Sequence, residues 1–212
     1  MNRRTIQVQK ITTFTGHRDA VYSLEKSDKD EVFFSAAGDG MVVAWNLENS
    51  GNGELIAQVP TSVYALRYVP SKDWLLLGHN HNSLQVINLS KKEVLATIAL
   101  PPVAIFDIIW SEKTQLIYVA LGDGGLAVAD ANTFTLKNLI KLSSKSARCL
   151  ALNEITQEIA IGFSDHVIRV LDLTTLALKF EFSSHTNSVF TVTYSPDGRF
   201  LLSGSRDAHL KV

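Results

Sequence analysis

The sequence predicts an all-β chain built as a β-propeller of four-stranded antiparallel blades, and three observations carry that prediction. The chain repeats itself every 42 residues: Val21, Val63, Ile105, Ala147 and Val189 form one column, and Leu24, Leu66, Ile108, Leu150 and Val192 a second. Ala36, Gly78, Ala120, Gly162 and Gly204 form a third column, all small, and Asp39, His81, Asp123, Asp165 and Asp207 a fourth. Four columns in register, without an insertion or deletion, define a tandem array of five units. Within each unit, short runs rich in Val, Ile, Leu and Phe alternate with tight-turn residues, and no turn-free segment carries a long helical period. A lone four-stranded sheet cannot bury both of its faces, whereas radial stacking of such sheets can.

The elements follow in chain order. Residues 5–13 alternate polar and apolar side chains and read as an outer strand. Unit one, residues 14–53, offers strands at Ala20–Leu24, Val32–Ala36 and Met41–Trp45. Units two to five occupy 54–92, 93–134, 135–175 and 176–212, opened by alternating stretches at Glu54–Val59, Glu93–Leu100, Leu136–Leu142 and Leu176–Phe182. In the last unit, Ser188–Tyr194 and Phe200–Ser203 are strands separated by the turn Ser195-Pro196-Asp197-Gly198-Arg199. A second turn, Gly204–Asp207, leads into His209–Val212, so this unit is cut short. Five periods account for nearly all of the 212 residues. The preferred expectation is the front part of a longer array, about seven blades or roughly 290 residues at this period. The competing expectation is a five-bladed ring closed by residues 5–13.

Composition excludes several classes. The chain is 46% hydrophobic and 19% charged, with 20 basic against 21 acidic residues. A formal charge of −1 gives no electrostatic footprint for nucleic acid or an acidic membrane. Cys149 is the single cysteine and cannot form an internal disulfide, so nothing ties the fold to an oxidising compartment. No apolar run approaches the roughly 20 residues of a membrane span, and the first residues lack the apolar centre of a signal peptide. A cytoplasmic protein is the resulting expectation.

Gly16-His17, Ser35, Asp39 and Trp45-Asn46 in unit one, with Ser184-His185, Ser203, Gly204 and Asp207 in unit five, resemble the WD40 repeat family. Units two to four keep the spacing and the apolar pattern but have lost most polar signatures. Read physically, Asp39 accepts from His17, His17 bridges to the Ser35 hydroxyl, and that hydroxyl accepts the indole N–H of Trp45. His185, Ser203 and Asp207 repeat the first three members. In units two to four the His column carries Val59, Pro101 and Ser143, the Ser column Leu77, Val119 and Ile161, and the Trp column Ile87, Ala129 and Leu171. The polar members disappear together, as expected when a buried network is replaced whole. His, Ser and Asp are also the types of a hydrolase triad, but a trio repeated within apolar strands is structural, because access and geometry define a triad. Asp123 and Asp165 are expected to bond local turn backbone.

The resemblance implies partner binding at the mouth of the central channel. Carried over by position, the residue after the first conserved aliphatic of each inner strand gives Tyr22, Tyr64, Phe106, Arg148 and Phe190. The residue before that aliphatic is Ala20, Ser62, Ala104, Ser146 or Ser188. Aromatic and arginine side chains dominate binding hot spots, so this column is either a cup for a peptide or packing between blades. Asn80 and Arg206, each before the turn-aspartate column (His81 and Asp207 in these units), are secondary candidates on the same face. His79 and His81 stand two apart, as in some metal sites, but without a nearby carboxylate or thiol they read as loop composition, and no metal or cofactor is expected. Gly122-Asp123-Gly124-Gly125 lacks the following helix a phosphate cradle needs. Cys149 reads as a small buried hydrophobe, and Asp107 as the lone inner-strand carboxylate to inspect.

The leading functional expectation is a non-catalytic scaffold binding a protein or peptide partner, with neither nucleic acid nor membrane. The alternative is a propeller enzyme of lactonase-like hydrolase type, since Leu116–Ala120 and Tyr194–Gly198 also resemble bacterial propellers outside the strict WD40 set. Such an enzyme needs carboxylates or histidines converging on the channel.

Overall fold

Each 42-residue period folds into one antiparallel sheet in a computed structural model that describes residues 7–49, 51, 53–80 and 83–212. Blade 1 holds β1 (Val21–Lys26), β2 (Val32–Ala37), β3 (Met41–Asn46) and β4 (Glu54–Gln58), paired in sequence order. Blade 2 holds β5 (Val63–Val69), β6 (Trp74–His79), β7 (Ser83–Asn88) and β8 (Glu93–Ala99). Blade 3 holds β9 (Ile105–Ser111), β10 (Leu116–Leu121), β11 (Gly125–Asp130) and β12 (Thr135–Lys141). Blade 4 holds β13 (Ala147–Asn153), β14 (Glu158–Phe163), β15 (Ile168–Asp172) and β16 (Leu178–Phe182). Blade 5 has three strands, β17 (Val189–Tyr194), β18 (Leu201–Ser205) and β19 (Leu210–Lys211). The all-β propeller architecture predicted from the repeat is the one observed. A 3-10 turn at Pro70–Lys72 links β5 and β6.

The core lies between blades. Phe34, Val42 and Ile56 of blade 1 pack with Val63, Leu66 and Leu75 of blade 2, and Leu84 and Val86 of blade 2 pack with Ile105, Ile108 and Val119 of blade 3. Strand β10 shows why these strands are apolar throughout. Ile117 and Val119 join the core shared with blade 2, while Tyr118 and Ala120 join the core shared with blade 4. A strand buried on both faces loses the polar alternation of a one-sided sheet. Fully burying one such aliphatic side chain contributes about 1.5–3 kcal/mol.

Terminal blades lack one neighbour, and exposure registers it. Leu24 in β1 is 67% exposed, whereas Leu66, Ile108, Leu150 and Val192, its equivalents, are at most 6% exposed. Phe200 and Leu202 are left similarly open on blade 5. Of the outer strand expected at 5–13, Thr5 and Ile6 lie outside the described residues. Residues 7–17 form no strand, since no sheet edge pairs with them, and Val8 and Ile11 are exposed. Phe14 nonetheless packs edge-on against Phe33 and Trp45, with ring centroids 5.1 and 5.5 Å away.

The small-residue column has a packing cause. A Cβ on Gly78 would stand 2.4 Å from Ile105 Cγ2, and one on Gly162 would stand 2.6 Å from Cys149 Sγ and 2.8 Å from Val189 Cγ1. The first aliphatic of the next blade therefore fills the space that a side chain would need. Gly78→Val is expected to destabilise the fold by about 1–3 kcal/mol or more through overpacking, read as a lower denaturation midpoint at unchanged slope.

Inner strands meet as sheet edges, so their backbone groups need partners from elsewhere. Side chains of one blade supply them to the next. Ser23 Oγ accepts the Leu66 N–H at 3.3 Å, a Glu25 carboxylate oxygen accepts the Tyr68 N–H at 2.9 Å, and Asp107 accepts the Leu150 N–H at 2.7 Å. Arg67 adds a bond from Nε to the Ile108 carbonyl at 2.9 Å, with Nη1 at 3.5 Å from Glu25.

Candidate functional site

A β-bulge recurs where each inner strand meets the second strand of its blade. In blade 1 Val21 pairs with Ala37 and Ser23 with Ala36, which leaves Tyr22 without a partner. The same break occurs at Val63/Ala65, Ile105/Asp107, Ala147/Cys149 and Val189/Thr191. The extra residues are therefore Tyr22, Tyr64, Phe106, Arg148 and Phe190, the column carried over by position. A bulge re-aims the side chain of its extra residue away from the regular alternation, and here it does so five times at equivalent places.

These five side chains form one continuous ladder. Tyr22 and Tyr64 have ring centroids 4.6 Å apart, and Tyr64 and Phe106 5.7 Å apart. The Arg148 guanidinium lies 4.1 Å from the Phe106 ring centre and 5.4 Å from that of Phe190. Together the five line a shallow concavity of about 260 Å³. The rings thus pack between blades and also keep one side open, Tyr22 being 49% and Phe190 50% exposed. Ser164 Oγ accepts from Arg148 Nε at 2.9 Å. Desolvation lowers the pKa of the half-buried Arg148 guanidinium.

The residue before each turn aspartate sits beside the start of its inner strand. Ser164 N–H bonds the Ser146 carbonyl and Arg206 N–H bonds the Ser188 carbonyl, both at 2.9 Å. Arg206, exposed, thus occupies in blade 5 the place that Ser164 holds in blade 4. Asn80 is half-buried in the corresponding place of blade 2. Larger clefts open elsewhere between blades, one of about 550 Å³ near Phe180, Tyr194 and Leu201. A similar one recurs between blades 1 and 2 near Phe34, Ile56 and Tyr68. Recurrence at a second blade junction marks them as features of the scaffold.

The polar network has the order expected. Trp45 Nε1 donates to Ser35 Oγ at 2.7 Å, Ser35 Oγ lies 2.7 Å from His17 Nε2, and His17 Nδ1 lies 3.2 Å from both Asp39 oxygens. The ionised Asp39 carboxylate can only accept, so Nδ1 carries the proton of the neutral imidazole, Nε2 accepts, and the Ser35 hydroxyl donates to Nε2 while accepting the indole N–H. Asp39 also accepts the N–H groups of Arg18 and Met41 at 2.8 and 3.0 Å. Burial pushes the Asp39 carboxyl upward, but those two N–H bonds and His17 outweigh it and hold the carboxyl below its usual range. Blade 5 repeats the arrangement: His185 Nδ1 lies 2.9 Å from Asp207 and Nε2 2.9 Å from Ser203 Oγ. Ser35 and Ser203 are buried at 2 and 5% exposure, beyond the reach of a substrate.

This network and the repeat coincide with a family match: WD domain, G-beta repeat, at residues 8–46 and 176–212. The chain is a WD40-repeat β-propeller. The matched segments are the two units that keep the polar network, and the blades between them carry the fold without it. Among curated relatives, "Actin-interacting protein 1" of Drosophila melanogaster is 28% identical over 185 residues, covering 84% of this chain and 30% of its own length. "WD repeat-containing protein SL1-17" of Schistosoma mansoni is 21% identical and covers 97% of this chain and 54% of its own length. The chain thus spans no more than about half the length of either relative. Among solved structures, the computationally designed Ika8 protein aligns with a TM-score of 0.76 at 19% identity, covering 93% of this chain and 59% of the other.

The middle WD40 blades rebuild the turn aspartate differently. Asp165 accepts the Val167 N–H at 3.2 Å, as its turn position predicts, but also the Ser143 hydroxyl at 2.7 Å and Arg169 Nη1 at 2.9 Å. Asp123 accepts the Gly125 N–H at 3.0 Å and pairs with Lys141 at 2.9 Å. Sequence reading missed both cations; the signal available was a lone Lys or Arg in columns otherwise neutral in the first three blades. His81 lies outside the described residues, and His79 is buried. Among the described residues no group of three or more His, Cys, Asp or Glu is placed to hold a metal ion. Cys149 is buried, and burial pushes its thiol far above the usual range. Burial also raises the Asp107 carboxyl to about 6, against the lowering effect of the Leu150 N–H and Arg67.

Proposed function

We propose that this propeller is a non-catalytic scaffold that binds a protein or peptide partner in the cup formed by Tyr22, Tyr64, Phe106, Arg148 and Phe190. The observation that carries the reading is the bulge ladder: five equivalent positions, one on each blade, converge on one concavity with aromatic and guanidinium groups half open. Rigid aromatic surface and arginine are the chemistry of binding hot spots. Asn80 and Arg206 extend the same rim. The relatives' WD-repeat character supports a protein partner, and the balanced net charge of −1 speaks against nucleic acid or an anionic membrane as the partner. No helix among the described residues is long and apolar enough to cross a membrane, and a cytoplasmic location belongs to the same proposal. A lactonase-like hydrolase would need converging acids or imidazoles where the cup presents rings.

The test is selection of displayed random peptides on the intact chain, followed by titration. The triple variant Tyr22→Ala, Tyr64→Ala, Arg148→Ala is expected to weaken the selected peptides by about tenfold or more while the thermal transition stays cooperative. Undiminished binding to that variant would remove the cup from the interface.

A further inference from the structure

The geometry points to a carboxylate as the group that this cup takes from its partner, with Arg148 as the counter-ion; the inference rests on the cup's being a peptide site. Three arginines among the described residues are half-buried: Arg67, Arg148 and Arg169. Arg67 lies 3.5 Å from Glu25, and Arg169 pairs with Asp165 and Glu181 at 2.9 and 3.0 Å. Arg148 has no carboxylate within ion-pairing distance among the described residues. A guanidinium carries five N–H donors, and only Nε of Arg148 is used, on Ser164.

A partly desolvated cation without a counter-ion costs free energy, which an incoming anion recovers. The inner strands hold two acids, since β1 extends past the strand expected at Ala20–Leu24 and adds Glu25 to Asp107, and neither can serve, because each is committed elsewhere. Asp107 accepts the Leu150 and Ile108 N–H groups at 2.7 and 2.8 Å, and Glu25 accepts the Tyr68 N–H and lies beside Arg67.

The orientation selects the kind of anion. Phe106 and Phe190 lie against the guanidinium, and its unused donors remain for a planar, bidentate acceptor. A single cation matches a single negative charge, with Arg206 reinforcing the same sign at the rim. On the far side of Phe106 the ladder continues through Tyr64 and Tyr22, so the partner segment carries an apolar or aromatic side chain next to its carboxylate. The carboxylate is an Asp or Glu side chain or a chain terminus, and the test separates these.

Peptides selected on the intact chain and weakened by Tyr22→Ala plus Tyr64→Ala define the cup binders. Each is resynthesised with Asp→Asn or Glu→Gln, with an amidated C-terminus, and with phosphoserine in place of its acid. One of the first two changes is expected to weaken binding to the unmodified chain by about tenfold or more, which names the source of the carboxylate. Against Arg148→Gln the acid and amide forms are expected to bind alike, and Arg148→Lys should recover part of the difference. Cup binders indifferent both to amidation and to Arg148→Gln would overturn the assignment. A tenfold preference for phosphoserine would replace carboxylate by phosphate. If no selected peptide depends on Tyr22 and Tyr64, the cup is not a peptide site, and the assignment falls with that reading.

Discussion

Ser35→Ala is expected to destabilise the chain by about 2–4 kcal/mol, because one deletion strands two buried partners. The Trp45 indole N–H loses its acceptor, and His17 Nε2 loses its donor, both bonds being 2.7 Å long. Trp45 is 4% exposed, so water does not replace the lost partner. Blade 2 shows the remedy in its own sequence, with Val59, Leu77 and Ile87 at the three positions. The triple variant His17→Val, Ser35→Leu, Trp45→Ile is therefore expected to be less destabilised than the sum of its three single changes. Denaturant midpoints at constant slope measure the non-additivity. Strict additivity, or a neutral Ser35→Ala, would mean that the four groups do not act as one network.

The second large effect is electrostatic and has a definite sign. Asp107 has its carboxyl raised to about 6 from 3.8, chiefly by burial. Between those values the folded chain holds a proton that the unfolded chain releases, so stability falls as pH rises from about 4 to about 6. The contribution is about 1–3 kcal/mol across that window. Burial raises Glu25 as well, which acts in the same direction. The turn acids Asp39, Asp123, Asp165 and Asp207 are all lowered and act oppositely, their stabilisation being present above the ordinary carboxylate range and lost below it. Asp107→Asn removes the titration at the cost of one backbone acceptor. The stability difference between the two proteins, followed from pH 4 to 7, is expected to change in favour of the variant. A difference independent of pH would place the Asp107 carboxyl outside a desolvated site.

Much of the architecture was legible because it is periodic. The repeated columns gave the number of units, and the short apolar runs gave their strands, whereas the reason for the small column, the first aliphatic of the next blade against Gly78 and Gly162, shows only in the structure. The His–Ser–Asp–Trp series gave the network bond by bond. What stayed hidden depends on contacts across one full period. Asp107 reaches the N–H of Leu150, and Ser23 and Glu25 reach Leu66 and Tyr68, each 43 residues away. Local pattern contains no trace of such a partner, although polar residues spaced one period from an inner-strand edge are the sign to look for. The bulge was equally invisible, since an unpaired residue breaks strand alternation only when the register of the partner strand is known. It explains why Tyr22, Tyr64, Phe106, Arg148 and Phe190 point together instead of vanishing into the blade cores. The strand expected at 5–13 failed over residues 7–13 for a simpler reason: alternation describes a strand's faces, and pairing needs an edge to meet.

The central claim, that the bulge column is a recognition surface, is tested most directly by mapping a selected peptide onto the isotope-labelled chain by NMR titration. The account predicts that the largest shifts fall on Tyr22, Tyr64, Phe106, Arg148 and Phe190, with Ser146, Ser164 and Ser188 beside them. Shifts concentrated instead on the cleft between blades 4 and 5, around Phe180, Phe182 and Tyr194, with the bulge residues unmoved, would contradict it.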